Sequence, residues 1–367
     1  MWQRIWRGWD WMLVFCMMAL IAIGIVIIGS ATHVNKIGLG GSDLVGKQFL
    51  FFLVNAGLVV AMQWFDYRKL KPFAKPIYLV TLLVLLAVMF VGTSALGAQR
   101  WIQIGPITIQ PSEFSKLLII ICLAEIIEKR FNKLDTYKSL VPISIFLAIP
   151  AFLVFRQPDL GTSLVYLAIF AGMVFIAGIR MRLVQNIVGI AVLLMPFAWF
   201  ILKDYQKSRI LVFLNPNIDP FGAGYHIIQS KIAIGSGFIL GKGLFEGTQS
   251  QLNFLPENHT DFIFSVVGEE LGFIGCVIVL LLFLVLLYRA IYIARNANDR
   301  FGMLLATGIT SMLCFQLLIN VGMTTGIMPV TGIPLPFISY GVSALTTNML
   351  SIGLLLNIAL RSKQFMF

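Results

Sequence analysis

Charge is what this chain has least of. Asp, Glu, Lys and Arg make up 12% of its 367 residues, with 16 acids and three histidines in all, whereas a soluble globular domain carries roughly 25% charged residues. That scarcity, beside 59% hydrophobic residues and a mean hydropathy of +0.91, excludes a soluble fold. Cysteine is also sparse. Cys16, Cys122, Cys276 and Cys314 stand in apolar runs with neither metal-type nor disulfide-type spacing, so they read as small buried hydrophobes and exclude a disulfide framework or structural zinc. A nucleotide P-loop is missing too. Lys242 follows Gly241, but the earlier glycine and the following Ser or Thr of that motif are absent. No internal repeat of fixed period and no soluble insertion is visible, so the expectation is a single membrane domain over 1–367.

What the chain does have is long apolar runs. Windows of about 17 to 25 residues, the length that crosses a bilayer as a helix, begin near Trp11, Gln48, Pro76, Glu113, Leu140, Gly161, Leu183, Phe262, Phe301 and Gly341. Backbone polar groups in hydrocarbon must be satisfied within the segment, and runs of this length do that as helices. The expected fold is therefore all-α, a polytopic integral membrane protein with about ten transmembrane helices and a long outer loop, about 203–261, between helices 7 and 8. The first run follows Arg4 and Arg7 without a convincing cleavage site and reads as an uncleaved span. Seventeen of the 27 basic residues fall in one alternating set of loops and termini, at Arg68 to Lys75, Lys129 to Lys138, Arg180 and Arg182, Arg289 to Arg300, and both ends. Such a bias marks the cytoplasmic side. Both termini are expected inside and the remaining loops outside, and the net charge of +11 reads as an orientation signal beside anionic membrane lipid, with no nucleic-acid partner.

The expected outer loops collect the chemistry. The 203–261 connection is too long for a plain link. It carries seven aromatics, a glycine-rich turn and the run IIQSKIAIGSGFILG, which suits an ordered amphipathic or re-entrant segment. It ends in PENHTD, where Glu257, His259, Thr260 and Asp261 gather within five residues at the start of an apolar helix. Asp261 is either an N-cap, a general base or an oxygen ligand for a divalent cation; a titratable cluster at a loop end favours function over capping. Glu269 and Glu270 follow on the same expected helix, and at about 100° per residue only Glu269 would turn toward Asp261's side. Glu113 and Lys116 lie three residues apart at another helix start, either as an ion pair or with Lys116 left for a phosphate. Trp101 beside Arg100 is an interface anchor or a sugar-stacking surface, and Asp159 a cap or a ligand. Arg209 and Lys231 add outer positive charge suited to a pyrophosphate. The GIPLPFISYG run, holding Ser339, cannot be regular helix because of Pro334 and Pro336. The one cofactor these residues admit is a divalent cation, Mg or Mn, with Asp261 as its ligand; no nucleotide or organic cofactor is expected.

The stretches GAQRWI (97–102), QPSEFSK (110–116), QPDLGTS (157–163), GYHIIQSKIAIGSG (224–237), GTQSQLNFLPENHTDFIFSVVGEELG (247–272) and TGIPLPFISYG with Ser343 (331–343) together resemble the SEDS family of polytopic cell-wall proteins over nearly the whole length. The resemblance implies a peptidoglycan glycosyltransferase that polymerises lipid II on the outer face of the bacterial cytoplasmic membrane, in cell-wall elongation and rod-shape maintenance. It implies an inverting transfer with Asp261 as the essential carboxylate. Its implied partners are a class B penicillin-binding protein and other wall-elongation membrane proteins. Lipid II transport, or a non-catalytic scaffold, are the rival functions; an intramembrane acid such as Glu269 favours transport slightly, and the acid cluster at a loop end favours chemistry.

Overall fold

The computed structural model describes residues 8–33, 43–95, 98–105, 107–201, 204–222 and 224–362. Ten long helical segments account for the ten apolar runs. They are α1 (Trp11–Ala31), α2 (Leu44–Met62), α3 (Ala74–Val91), α4 (Pro111–Glu128), α5 (Tyr137–Arg156), α6 (Leu160–Ile176), α7 (Met181–Ile201), then a span broken into α11 (Ile263–Glu270) and α12 (Gly272–Arg295), and finally α13 (Arg300–Thr325) and α14 (Val342–Ser362). Among the described residues, seven segments are long and apolar enough to cross a membrane on those grounds alone. Of the others, α6 is short and α4 is charged, with Glu113, Lys116, Glu125 and Glu128. The molecule is a multi-pass helical membrane protein.

Several helices start where a side chain accepts a bond from a free amide. Asp10, Asp43, Asp159 and Asp299 accept from Leu13, Gly46, Thr162 and Gly302, satisfying donors that hydrocarbon cannot. Position in the bundle then follows sequence character. In α14 the membrane-length window is 83% buried, against 17% in α2, and α14 carries Thr347, Asn348, Ser351 and Asn357, all buried. It packs on α2 and α4, while α13 packs on α4, α6 and α12. The α2, α3 and α5 helices turn residues such as Leu50, Leu83, Phe90, Ile145 and Phe152 outward, as lipid-facing helices do. At one end of the bundle, basic residues tie the short connections together: Lys71 with Glu128 at 2.8 Å, Arg68 with Asp299, and Arg361 donating to the Phe65 carbonyl.

The opposite end carries the elaboration. Between α3 and α4 the chain forms a three-stranded antiparallel meander, β1 (Thr93–Ala95), β2 (Ala98–Ile104) and β3 (Ile107–Ile109), pairing Trp101 with Thr93 and Ile102 with Ile109. The apolar-run reading treats this segment only as a loop. The long connection after α7 is ordered into α8 (Asp204–Leu214), α9 (Tyr225–Ser236) and the single turn α10 (Thr248–Gln251). Within it α9 is packed against α11, where Ser230 Oγ lies 2.6 Å from both Ser265 Oγ and the Thr324 carbonyl.

The eighth span departs from expectation. The continuous helix foreseen from Phe262 breaks at Leu271, because Gly272 adopts φ +65° and the loop backbone at Ile239 and Gly241 presses against it. Only glycine enters that conformation cheaply. The break leaves Glu269 and Glu270 at the end of a short buried helix.

Candidate active site

A cavity of about 600 Å³ opens at the end of the bundle that carries the sheet. Two irregular segments, strand β2 and the starts of helices α2, α4, α6 and α14 supply its walls. The PENHTD segment brings Asp261, Thr260 and Glu257; the TGIPLP segment brings Gly332, Ile333 and Pro334; strand β2 brings Arg100 and Trp101. From the helix starts come Lys47 of α2, Glu113 and Lys116 of α4, and Thr162 of α6 beside Asp159. Leu50, Phe51 and Val165 make part of the wall apolar, and Leu50 is 57% exposed on the outer face of α2.

Asp261 owes its position to backbone tethers. Asn320 of α13, fully buried, donates through Nδ2 to the Asp261 carbonyl at 2.9 Å and to the Ile333 carbonyl at 2.8 Å, joining the two irregular segments. Ser339 Oγ donates to the Thr260 carbonyl at 2.6 Å, and the Tyr340 amide to the His259 carbonyl at 2.9 Å. Gly332 lies at φ +73°, and a Cβ there would stand 3.2 Å from Asp261 Oδ2. The side chain of Asp261 is not an N-cap: α11 is capped by Phe262, without a side-chain bond. Its carboxylate is left to face the cavity.

Burial pushes the Asp261 carboxyl up to about 6, helped by the nearby charges of Glu257 and, more weakly, Asp159, while Arg100 and Arg209 pull it back down. A carboxylate poised near neutrality is suited to general-base work. His259 is moved the other way. Burial lowers its imidazole, with Glu257 opposing, so it is neutral at pH 7 and adds no cation to the site. It lies beside Tyr340, with ring centroids 6.0 Å apart, and Nδ1 is 3.2 Å from Asn258 Oδ1.

The cations differ in how they are held. Lys116 Nζ lies 2.7 Å from Glu113 Oε2, with side-chain exposures of 1% and 5%. Arg100 stacks its guanidinium 4.9 Å over the Trp101 ring and reaches Asp159 at 3.7 Å, and its buried Nε has no hydrogen-bond partner. An orphaned guanidinium donor in a cavity is ready for an anionic ligand. Asp159 is fully engaged, accepting from the Thr162 amide and hydroxyl, Ser112 Oγ and Gln110 Nε2. Thr260 Oγ donates to Glu257 Oε2 at 2.8 Å.

Of the residues singled out in the sequence, Asp261, Thr260, Glu257, Trp101, Glu113, Lys116 and Asp159 share this one cavity. Four others do not line it. Ser339 and His259 brace the Asp261 segment from behind. Arg209, on α8, acts on Asp261 through its charge. Lys231, exposed on α9, packs against Gly326 at the end of α13. Glu269, expected to look toward Asp261, turns elsewhere: it accepts from Lys242 Nζ, the Thr248 hydroxyl and the amides of Gln249 and Ser250, all in the long connection. The helix begins only at Ile263, so helical periodicity does not carry from Asp261 to Glu269. Glu270 likewise accepts from Ser30 Oγ of α1 at 2.6 Å.

Lys47, Gln110 and Asn320 are site residues that sequence reasoning passed over. Lys47 sits at a helix start, a signal shared with other lysines, while a buried Asn within an apolar run such as Asn320 is a signal of its own. Among the described residues no group of three or more His, Cys, Asp or Glu is arranged to hold a metal. With Asp159 and Glu113 already paired, Asp261 and Glu257 are the cavity carboxylates left for a cation. Two carboxylates suit Mg²⁺, which draws its other ligands from water and substrate phosphates.

The family described as cell cycle protein, which groups FtsW, RodA and SpoVE, matches residues 10–364. The chain is 40% identical over 363 residues to the probable peptidoglycan glycosyltransferase FtsW of Geobacter metallireducens, covering 97% of this chain and 96% of that one. It is 39% identical over 345 residues to the peptidoglycan glycosyltransferase MrdB of Escherichia coli K12, covering 93% and 91%. Among solved structures, a chain from a peptidoglycan synthase complex that coordinates polymerization and crosslinking superposes with a TM-score of 0.84 at 32% identity, covering 97% of this chain and 99% of that one. The rod shape determining protein RodA of Thermus thermophilus superposes at 0.70 with 30% identity, covering 96% of each.

Proposed function

Because this chain belongs to the family of FtsW, RodA and SpoVE, we propose that it is a peptidoglycan glycosyltransferase whose Asp261 cavity polymerises lipid II into glycan strands. The observation that carries the reading is Asp261 itself: a tethered carboxyl raised to about 6, facing a cavity that also holds Arg100, Lys116 and Lys47. Relatives named for glycosyl transfer to peptidoglycan support the reaction class. Rod-shape elongation is the role proposed, with the RodA superposition in support.

The chemistry follows from the residues. Asp261, ionised above about pH 6, takes the proton from the acceptor sugar hydroxyl as its oxygen attacks the anomeric carbon of the donor. The bond from that carbon to the lipid pyrophosphate breaks, and inversion turns the α-linked donor into a β-linked product. Negative charge grows on the departing pyrophosphate, where preorganised cations lower the barrier. Arg100 and Lys116 are assigned that task, with Lys47 at the rim. Trp101 offers a ring face to a sugar, although its other face neighbours Arg100. A divalent cation held by Asp261 and Glu257 would add positive charge beside the same pyrophosphate. The apolar wall of Leu50 and Phe51 gives a polyprenyl chain a path from the membrane into the cavity.

By this reading the protein lies in the bacterial cytoplasmic membrane with both termini inside and the cavity outside, an orientation supported by the basic residues at the opposite end. A class B penicillin-binding protein is the proposed crosslinking partner, a reading supported by the superposition on a chain of a peptidoglycan synthase complex. Lipid II transport loses its main support here, because Glu269 is bonded to the long connection and Glu270 Oε1 to Ser30 of α1. The test is polymerisation of labelled lipid II by the purified chain with its partner, compared with Asp261→Ala. Equal product from both overturns the assignment. Adding a chelator, then restoring Mg²⁺ or Mn²⁺ singly, tests the cation: lost activity that one of them restores supports it, and indifference leaves Asp261 as base alone.

A further inference from the structure

A second cavity, of about 570 Å³, lies at the other end of the bundle. It forms where the start of α3, the end of α4 and the second turn of α5 diverge. Ile126 on its wall stands roughly 20 Å along α4 from Glu113 at the helical rise, so the two cavities are far apart. Lys75, Lys129 and Arg130 line it, together with Glu125. Lys129 is paired with Glu125 one turn earlier. Lys75 and Arg130 have no carboxylate partner among the described residues, which leaves the cavity with two uncompensated cations. The remaining wall is apolar and rigid. Phe146 stacks on Tyr78 with centroids 3.7 Å apart, and Tyr78 Oη donates to the Phe146 carbonyl at 2.8 Å. Beside this wall on α5, Val141, Ile145, Ile149 and Phe152 are 45 to 61% exposed and run toward the membrane centre.

We propose that this cavity binds the phosphate of an anionic phospholipid, with Lys75 and Arg130 holding the headgroup and the exposed face of α5 receiving an acyl chain. Three cations and one acid at the membrane boundary select a negative headgroup. A continuous apolar track leading from the cavity into the bilayer favours a lipid over a soluble phosphate, which would have no use for it. Glu125 sets the strength of the site by neutralising Lys129. The orientation proposed above places the lipid in the inner leaflet; the binding itself does not depend on that reading or on Asp261.

The experiment uses the full chain, delipidated in neutral detergent and titrated with phosphatidylglycerol, phosphatidylcholine or inorganic phosphate. Bound lipid is counted by native mass spectrometry and stability followed by thermal unfolding. Phosphatidylglycerol should be retained and should stabilise the protein more than phosphatidylcholine. Lys75→Gln with Arg130→Gln should weaken the lipid about 25-fold, near fivefold for each cation removed. Glu125→Gln frees Lys129 and should tighten binding by a similar fivefold, a gain that misfolding cannot mimic. Equal retention of both lipids, unchanged binding in these variants, or stabilisation by inorganic phosphate equal to that by the lipid overturns the proposal.

Discussion

Lys116 and Glu113 form a buried ion pair, 2.7 Å apart on one face of α4, in the wall of the cavity that Asp261 faces. Removing one member of a buried pair strands the other charge, at a cost of about 3–5 kcal/mol. Lys116→Met and Glu113→Gln are each expected to lower thermal stability sharply. The double variant should recover most of that loss, because neither charge remains, and still polymerise about 100-fold or more slowly than the wild type if Lys116 stabilises the departing pyrophosphate. Unfolding curves and lipid II polymerisation on the same samples separate the two roles; recovery of both would make the pair purely structural.

The raised Asp261 carboxyl gives the enzyme an acid limb. With an ordinary value of 3.8 moved to about 6, the base form is lost as pH falls through 6, so polymerisation should decline about tenfold per unit below that point. Glu257→Gln removes a like charge and should shift the limb to lower pH; Arg100→Gln should shift it higher. For stability the sign is opposite. The folded state holds the proton more tightly, so this group stabilises the fold below 3.8 and that contribution is lost as pH rises through 6. Asp261→Asn should therefore be no less stable than the wild type at pH 7, while losing 100-fold or more of its activity. A less stable Asn variant would contradict the burial argument.

Gly332 controls how closely the TGIPLP segment approaches Asp261. At φ +73°, with a Cβ only 3.2 Å from Oδ2, Gly332→Ala should cost about 1–2 kcal/mol of backbone strain. By displacing the carboxylate it should also slow polymerisation roughly tenfold or more. The measurement that matters is the split between kcat and KM. A misplaced base lowers kcat, whereas a change in KM alone would point to substrate access.

Glu269 secures the long connection. Its carboxylate accepts from the Lys242 ammonium at 3.0 Å, the Thr248 hydroxyl at 3.3 Å and the Gln249 and Ser250 amides at 2.8 and 3.1 Å. Glu269→Gln turns one acceptor into a donor facing these donors, a loss of about 1–3 kcal/mol. Limited proteolysis should cut residues 242–255 faster in this variant, with the helical bundle intact and activity reduced less than in Asp261→Asn. An unchanged digestion pattern would remove the anchoring role.

The apolar runs were legible because bilayer thickness and backbone hydrogen bonding set both the length and the form of a spanning segment. By themselves they determined the helical class, ten spans and the separation of basic loops from the loops carrying Asp261, Trp101 and Asp159. The acids at the end of the long connection also stood out, since so few charges occur elsewhere. What the runs could not convey depended on contacts between distant segments. The break at Gly272 arises where the 237–241 turn presses on it, and Glu269 is held by the long connection because the helix begins only after Asp261. The choice between ion pair and free cation at Lys116, and the loss of the capping role at Asp261, rested on burial and on Asn320, Ser339 and Gly332, which lie 59 or more residues along the chain from Asp261. Tertiary structure alone decided these, because a carboxyl's proton affinity depends on what surrounds it, and most of Asp261's surroundings are remote in sequence.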